Sequence, residues 1–148
     1  MGDFNKNIIK SIVKEIYFIQ KNGNYIIDIK FVPISTTDEA IVSGLLYGLL
    51  EYGQNVTQFL PKNKILQHVI FLLENKERYC ISFAYNSYFL IIISGMQDNS
   101  QLNLIEEYLA SINIQFQIFL KEFNLKEEDF SRIDKFKKFR DIILKEFD

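Results

Sequence analysis

Residues 36–56, TTDEAIVSGLLYGLLEYGQNV, make up the stretch that decides the fold. Their apolar residues recur at spacings of three and four, which predicts a helix over the whole stretch. Gly44 and Gly48 lie inside this helix, although an interior glycine costs about 1 kcal/mol relative to alanine. Because a helix side without Cβ atoms can approach another surface closely, we expect that surface to be the domain's own sheet, with a second chain as the alternative.

The predicted helix also has a wide apolar face, wider than contact with one sheet normally requires. This face is built from Ile41, Leu45, Leu49 and Tyr52, and it is flanked by Val42, Leu46 and Leu50. We therefore expect the helix to lie on a sheet whose strands come from the segments before and after it.

The composition fits one folded domain over residues 1–148, since 48% of the chain is hydrophobic and 24% is charged. The 17 basic and 19 acidic residues give a net charge of −2, whereas nucleic-acid-binding proteins carry a basic patch or stripe. A single cysteine excludes an internal disulfide framework. The most apolar run, YFLIIISG, is far shorter than the roughly 20 residues that span a bilayer. We expect a cytoplasmic protein that has no transmembrane segment and reaches membranes only through partners.

Strand signals stand on both sides of the helix. In residues 8–20 the second half predicts a strand, and the first half is either its extension or a short helix. Asn22 and Gly23 predict a hairpin in which both turn residues take positive φ. Apolar and polar residues alternate in residues 25–32, which predicts a half-buried strand.

Three further strands are predicted at residues 64–75, 78–85 and 88–95. The last of these is apolar without alternation, which indicates burial on both faces and a central position in the sheet.

Two helices are predicted at the C-terminal end of the sequence. The first is amphipathic, with apolar residues spaced by three and four: Leu102, Ile105, Leu109, Ile112, Phe116, Phe119 and Phe123. The second is predicted to turn inward Phe130, Ile133, Phe136, Ile143 and Phe147. The element order ββαβββαα predicts an α+β domain, with a five-stranded antiparallel sheet, one helix on one face and the two C-terminal helices on the other.

This arrangement resembles the longin-like domains. The stretches that carry the resemblance are IYFIQKNGNYIIDIKF, DEAIVSGLLYGLL, RYCISFAYNSYFLIIISG and LNLIEEYLASINIQFQIFL, which together span nearly the whole chain. The related roadblock domains open with a full helix before the first strand. Only about ten residues could supply that helix here, and the long helix after the fifth strand, followed by another helix, fits a longin better. The longin subclass is therefore expected, and the roadblock subclass stays open.

The resemblance implies a role without chemistry. Longin-like domains pair with other domains or dock peptides in trafficking and in small-GTPase regulation. The resemblance implies a non-enzymatic interaction module that binds a second copy or another longin- or roadblock-type subunit. Through that subunit the module would serve a small GTPase or a trafficking complex. Since neither a SNARE coiled coil nor a membrane anchor follows, a subunit of a tether, an adaptor or a GTPase-regulating complex is expected rather than a longin SNARE.

Residues with catalytic or metal-binding chemistry are few. His68 is the one histidine, and the sequence places no nucleophile or carboxylate beside it. Cys80 lies among apolar strand residues, which predicts a buried structural cysteine. One histidine and one cysteine are too few for a zinc site, and a Gly-rich phosphate loop is missing from the sequence. We predict no catalytic residue, no metal and no cofactor.

Two surfaces are predicted to bind a partner. The first is the edge of the second strand, where an added strand would contact Tyr25, Ile27, Ile29 and Phe31. The second is the flank of the glycine helix with the third strand, at Leu46, Tyr47, Leu50, His68 and Phe71. The alternative for each of these residues is a place in the core or at its rim.

A different class of function is a small-molecule sensor or carrier. Its pocket would lie between the sheet and the helices, lined by the phenylalanine-rich C-terminal helices. A core that is tightly filled by these side chains would count against it.

Overall fold

The computed structural model describes residues 3–31, 39–56, 67–74 and 76–146. The helices are α1 (Asp3–Ile12), α2 (Glu39–Val56), α3 (Leu102–Glu122) and α4 (Lys137–Lys145). The strands are β1 (Val13–Gln20), β2 (Tyr25–Lys30), β3 (His68–Leu72), β4 (Arg78–Tyr85) and β5 (Tyr88–Met96). Short 3-10 turns lie at Asn99–Gln101, Glu127–Asp129 and Ile133–Phe136.

The strands form one antiparallel sheet of five in the order β2-β1-β5-β4-β3. The unbroken apolar strand β5 lies at its centre, as its sequence predicts. Phe18 of β1 stands opposite Ile27 of β2 and Leu90 of β5. The α+β class and the five-stranded sheet are therefore confirmed, and β2 and β3 are the two edges.

The first half of residues 8–20 is a helix and not an extension of the strand. α1 ends at Ile12 and β1 begins at Val13. Ile9 and Ile12 are buried in the core on the side of α3. This settles the alternative that the sequence left open, and it adds a third helix to the face that carries α3 and α4.

Aromatic rings fill the space between the sheet and α3 and α4. The ring of Phe18 stacks on Phe116 of α3 with centroids 4.1 Å apart. Phe139 of α4 meets Phe116 edge-on at 5.1 Å. All three side chains are at most 1% exposed, and such ring pairs add about 0.5–1.5 kcal/mol each to their area burial. α4 and α3 are thereby fixed to the sheet.

The opposite face of the sheet carries α2 alone among the described helices. Leu46 and Leu50 of α2 pack on Tyr17, Ile19 and Ile91 of the sheet. Leu46 is 6% exposed and Leu50 is 2% exposed. One helix therefore lies on this face, as predicted.

The orientation of α2 differs from the predicted one. Ile41, Leu45 and Tyr52 are 57%, 68% and 69% exposed. The predicted inward set was wrong in these three members, because a helix that is apolar nearly all round gives no periodic signal of which side faces the sheet. The flanking residues Leu46 and Leu50 make the contact instead.

Three element boundaries also differ from the predictions. β3 ends at Leu72 because a tight turn follows. In this turn Lys76 has a φ of 67° and donates its N–H to the Leu73 carbonyl. Residues 64–66, where the predicted strand begins, lie outside the described part. The predicted last helix opens with 3-10 turns, which leave Ile133 38% exposed. Phe123, which follows α3, is 44% exposed, and Phe147 lies outside the described residues.

The hairpin between β1 and β2 is confirmed, with one correction to its turn. Gly23 has a φ of 90°, whereas Asn22 is not among the residues with positive φ. A Cβ on Gly23 would stand 3.0 Å from the ring of Tyr47. Glycine is needed here for its backbone conformation and for the close contact between this turn and α2.

Candidate functional site

The outer ridge of α2 is the most unusual surface of the domain. We use this name for the five residues Ile41, Gly44, Leu45, Gly48 and Tyr52. Their spacing of three, four, seven and eleven places them on one side of a helix. The three large side chains are all more than half exposed, and the two glycines lie between them. Contiguous exposed apolar patches on a folded domain often mark an interaction site.

The two ridge glycines face away from the domain. Within the part of the chain that the structure describes, a Cβ on Gly44 or Gly48 would meet nothing within 4 Å. The expectation that the glycines let α2 approach its own sheet is therefore wrong. The alternative, close approach to a second chain, stays a prediction.

The edge strand β3 carries the second exposed apolar surface. Ile70, Phe71 and Leu72, with Leu73 after them, are between 40% and 67% exposed. We call Ile70–Leu73 the β3 edge. β4 is the strand neighbour of β3, at the end of the sheet. The backbone N–H and C=O groups on the outer side of β3 are directed away from β4, as pairing with a partner strand would require.

The outer ridge and the β3 edge border the same face of the sheet. α2 lies over β1 and β2. Beyond it, Val69 of β3 and Ile81 of β4 are only half-buried, and Phe71 is 42% exposed on the same side. A partner could therefore contact the helix and the strand together.

The predicted β2 surface contributes mostly to the core. Ile27 and Ile29 have no exposed area, and Phe31 packs partly buried against the same core. Tyr25 is half-buried, and its hydroxyl donates to Asp28 Oδ1. Strand addition at β2 would involve backbone groups rather than these side chains.

A guanidinium group covers one backbone carbonyl of the β2 edge. Arg140 of α4 donates from Nε to the backbone oxygen of Asp28 at 2.7 Å. Its Nη2 lies 3.1 Å from both Asp28 Oδ1 and the Tyr25 hydroxyl. Burial and the neighbouring Asp28 raise the pKa of Tyr25, so that its phenol remains a hydrogen-bond donor.

The five residues of the second predicted surface lie on different sides of the molecule. Leu46 and Leu50 face the sheet. Tyr47 packs over the Gly23 turn and near the ring of Phe89, and a hydrogen bond with Glu51 raises its pKa. Phe71 is exposed on the face of the sheet that carries α2, whereas His68 faces α3 on the other side of the sheet. The structure thus brings Phe71 to the ridge side and separates His68 from it.

His68 is the centre of a polar cluster. Its Nδ1 lies 2.8 Å from Ser82 Oγ on β4, and its Nε2 lies 2.9 Å from Glu106 Oε1 on α3. Cys80 Sγ is 3.7 Å from Nδ1 and 3.4 Å from Ser82 Oγ. Contacts with the Cys80 sulfur and the Glu106 carboxylate raise the pKa of His68, against the opposing effect of partial burial.

The order hydroxyl, imidazole, carboxylate resembles that of a catalytic triad. Ser82 and Cys80, however, have no exposed area, so that a substrate carbonyl cannot reach either nucleophile. A surface cavity of about 230 Å³ touches the cluster only at its outer end, at His68 and Glu106. The cluster can hold β3, β4 and α3 together, and its position does not suit nucleophilic attack.

The described residues meet few of the requirements of a metal site, a membrane-spanning helix or a ligand pocket. Among them, no three His, Cys, Asp or Glu side chains are placed to hold a metal ion, and none of the helices is long and apolar enough to cross a membrane. The phenylalanines that were expected to line a ligand pocket fill the core themselves. A groove of about 170 Å³ does lie between α3 and α4. A wider, open depression of about 320 Å³ lies between the β4–β5 turn and the C-terminal end of α3, and it reaches only the lower end of the volumes of small-molecule sites, about 300–1,000 Å³.

Sequence reasoning missed two features of these surfaces. It noted that the apolar face of α2 is wider than contact with one sheet requires, but it did not include Ile41, Leu45 and Tyr52 among the residues of the partner surface. It also missed Arg140, which lies 112 residues from Asp28. No pattern in the sequence around Arg140 indicates that its side chain turns toward the sheet.

Comparison with known proteins gives a structural match without a sequence match. No protein-family model matches the chain, and no curated protein matches it in sequence. The crystal structure of a Roadblock/LC7 domain from Streptomyces avermitilis superposes with a TM-score of 0.52 at 11% identity, over 78% of this chain and 98% of that one. The helix before the first strand is the feature that the sequence analysis associated with roadblock domains. The chain has a fold of the longin/roadblock type.

Proposed function

We propose that this chain is a non-enzymatic protein-interaction domain whose binding surface is the outer ridge of α2 together with the β3 edge. Its partner is a second copy of the chain or another longin- or roadblock-type subunit. The complex acts in the cytoplasm, in an assembly that binds or regulates a small GTPase or serves membrane trafficking.

The observation that carries this proposal is the open space around Gly44 and Gly48. Within the domain these glycines have a cost of about 1 kcal/mol each and, among the described residues, no compensating contact. A partner helix that lies close to the ridge would supply that contact. The exposed Ile41, Leu45 and Tyr52 would then be buried, and each fully buried aliphatic side chain contributes about 1.5–3 kcal/mol.

The β3 edge supports the same interpretation. Its backbone can pair with a strand from another chain, and its apolar side chains would be covered by the same partner. If the partner is a second copy, the interface is two-fold symmetric and each residue contributes twice.

The test compares two aspartate substitutions on equally exposed helix positions. Ile41→Asp lies on the ridge, and its control Ile114→Asp lies on α3; both isoleucines are 57% exposed. Sedimentation velocity of the purified chain measures self-association. Capture by tagged protein from host lysate, with GDP and with a GTP analogue, measures binding of another subunit or a GTPase.

We expect Ile41→Asp to weaken the complex by at least about 100-fold, because an interfacial aliphatic side chain is replaced by a charge. Both variants should keep the wild-type thermal unfolding. Equal binding by the two variants would contradict the proposed surface. Loss of the complex in Ile114→Asp alone would place the interface on α3.

A further inference from the structure

The edge strand β3 is held to the domain by few contacts. It is five residues long, and three of them, Ile70, Phe71 and Leu72, are at least 40% exposed. Val69 packs partly buried on the α2 side, and His68 is inserted on the α3 side. Segments with so little burial open at a low free-energy cost. Besides its backbone pairing with β4, the strand is therefore attached mainly through the side chains of Val69 and His68.

Both ring nitrogens of His68 have partners on other elements. Ser82 stands opposite His68 in the β3–β4 register and is fully buried. Its Oγ is hydrogen-bonded to His68 Nδ1. Glu106 of α3 is hydrogen-bonded through Oε1 to His68 Nε2, and its side chain is 50% exposed. The His68 side chain itself is only 14% exposed. The imidazole thus joins the first residue of β3 to a strand and to a helix at the same time.

The cluster accommodates both protonation states without moving. In the charged ring both nitrogens donate, to the Glu106 carboxylate and to Ser82 Oγ, and the serine hydroxyl can donate to Cys80 Sγ. In the neutral ring Nε2 still donates to Glu106, while Nδ1 accepts from the serine hydroxyl. The proton therefore changes the strength of the Glu106 contact, because the charged ring adds the attraction between opposite charges to the hydrogen bond that the neutral ring already makes with the carboxylate.

The sign of the effect follows from the groups that face the ring. Among the described residues these are Glu106 from α3 and Cys80 and Ser82 from β4. Contacts with Cys80 and with Glu106 raise the pKa of His68 above its ordinary value of 6.5. The stabilisation is therefore complete below pH 6.5 and is lost as the pH rises through the raised value.

We propose that His68 is a proton-operated latch, which fastens β3 to α3 when the ring is charged and loosens the β3 edge when it is neutral. Only the biological use of this regulation rests on the proposed function. A partner would bind a firmly held β3 strand at low pH and a more mobile β3 strand at high pH. The latch itself is a property of the single chain.

The chain offers an unusually direct test, because His68 is its one histidine. The ring signals in a proton NMR titration therefore report this residue alone. Hydrogen exchange of the peptide that covers β3, corrected for the intrinsic pH dependence, reports how often the strand opens. Both readouts are made in wild type, Glu106→Gln and the control Glu107→Gln, which changes the neighbouring exposed carboxylate.

We expect the wild-type and Glu107→Gln rings to titrate above pH 6.5 and the Glu106→Gln ring to titrate lower. Exchange of β3 should be severalfold faster above the titration than below it, and this difference should vanish in Glu106→Gln. An unchanged midpoint in Glu106→Gln, or β3 exchange that is indifferent to pH, would overturn the latch. The same measurements are then repeated in proteins that also carry Ile41→Asp, in which β3 is tested without the proposed partner. Failure of the latch is thereby distinguished from failure of the proposed interface.

Discussion

The two edges of the sheet are built in opposite ways. β2 has four consecutive buried residues, and Arg140 occupies one of its outward carbonyl groups. β3 is exposed on both faces over most of its length, and besides its pairing with β4 it is held by Val69 and by one polar side chain, His68. An edge that is covered cannot template further strands, whereas an open edge can. A sheet with one closed and one open edge can add one partner without growing into a fibre.

The closed edge should be far more sensitive to substitution than the open one. Ile29→Asp in β2 places a carboxylate in a fully buried position and should cost at least about 4 kcal/mol, so that much of the protein is unfolded. Leu72→Asp in β3 starts from a residue that is 67% exposed and should cost less than about 1 kcal/mol.

Urea unfolding followed by circular dichroism measures both variants. Similar losses of unfolding free energy for Ile29→Asp and Leu72→Asp would contradict the difference between the edges.

The second largest effect is expected from Arg140→Ala. This change leaves the Asp28 carboxylate, in a residue that is 5% exposed, without its guanidinium and removes the cover from the Asp28 carbonyl. Since hydrogen bonds to charged groups contribute about 1.5–3 kcal/mol each and the guanidinium is partly solvated, we expect a loss of about 2–3 kcal/mol.

The matched control is Arg132→Ala. Its side chain is 61% exposed and lies 3.7 Å from Asp129, so its loss should cost less than about 0.5 kcal/mol. Arg140→Ala should also allow the chain to aggregate on heating, as light scattering would show. An Arg140→Ala protein as stable as the control would show that the β2 edge needs no such closure.

The sequence predicted the elements better than the surfaces. Alternation in residues 25–32 and the periodicity that runs from Leu102 to Phe119 are signals within one element, and both elements were found. The closure of β2 by Arg140 depends on a contact across 112 residues, which no local pattern contains. The direction of α2 could not be predicted, because its apolar residues lie on nearly all sides and only contact with the folded sheet selects Leu46 and Leu50.

The most direct test of the central claim is the double variant Gly44→Gln/Gly48→Gln. Glutamine is a good helix former, and the space around both positions is open within the described domain. The unfolding free energy of the single chain should therefore rise by about 1 kcal/mol. A partner helix, however, could no longer approach the outer ridge.

The measurement is quantitative mass spectrometry of proteins captured from host lysate by the tagged wild type, the double variant and Ile114→Asp, with the chain's own untagged copy counted among them. The account predicts that wild type and Ile114→Asp recover a second copy or a longin- or roadblock-type subunit. The double variant should recover at least about tenfold less, which corresponds to a loss of about 1.4 kcal/mol in binding. Equal recovery by all three proteins would contradict a role for the glycine ridge in binding.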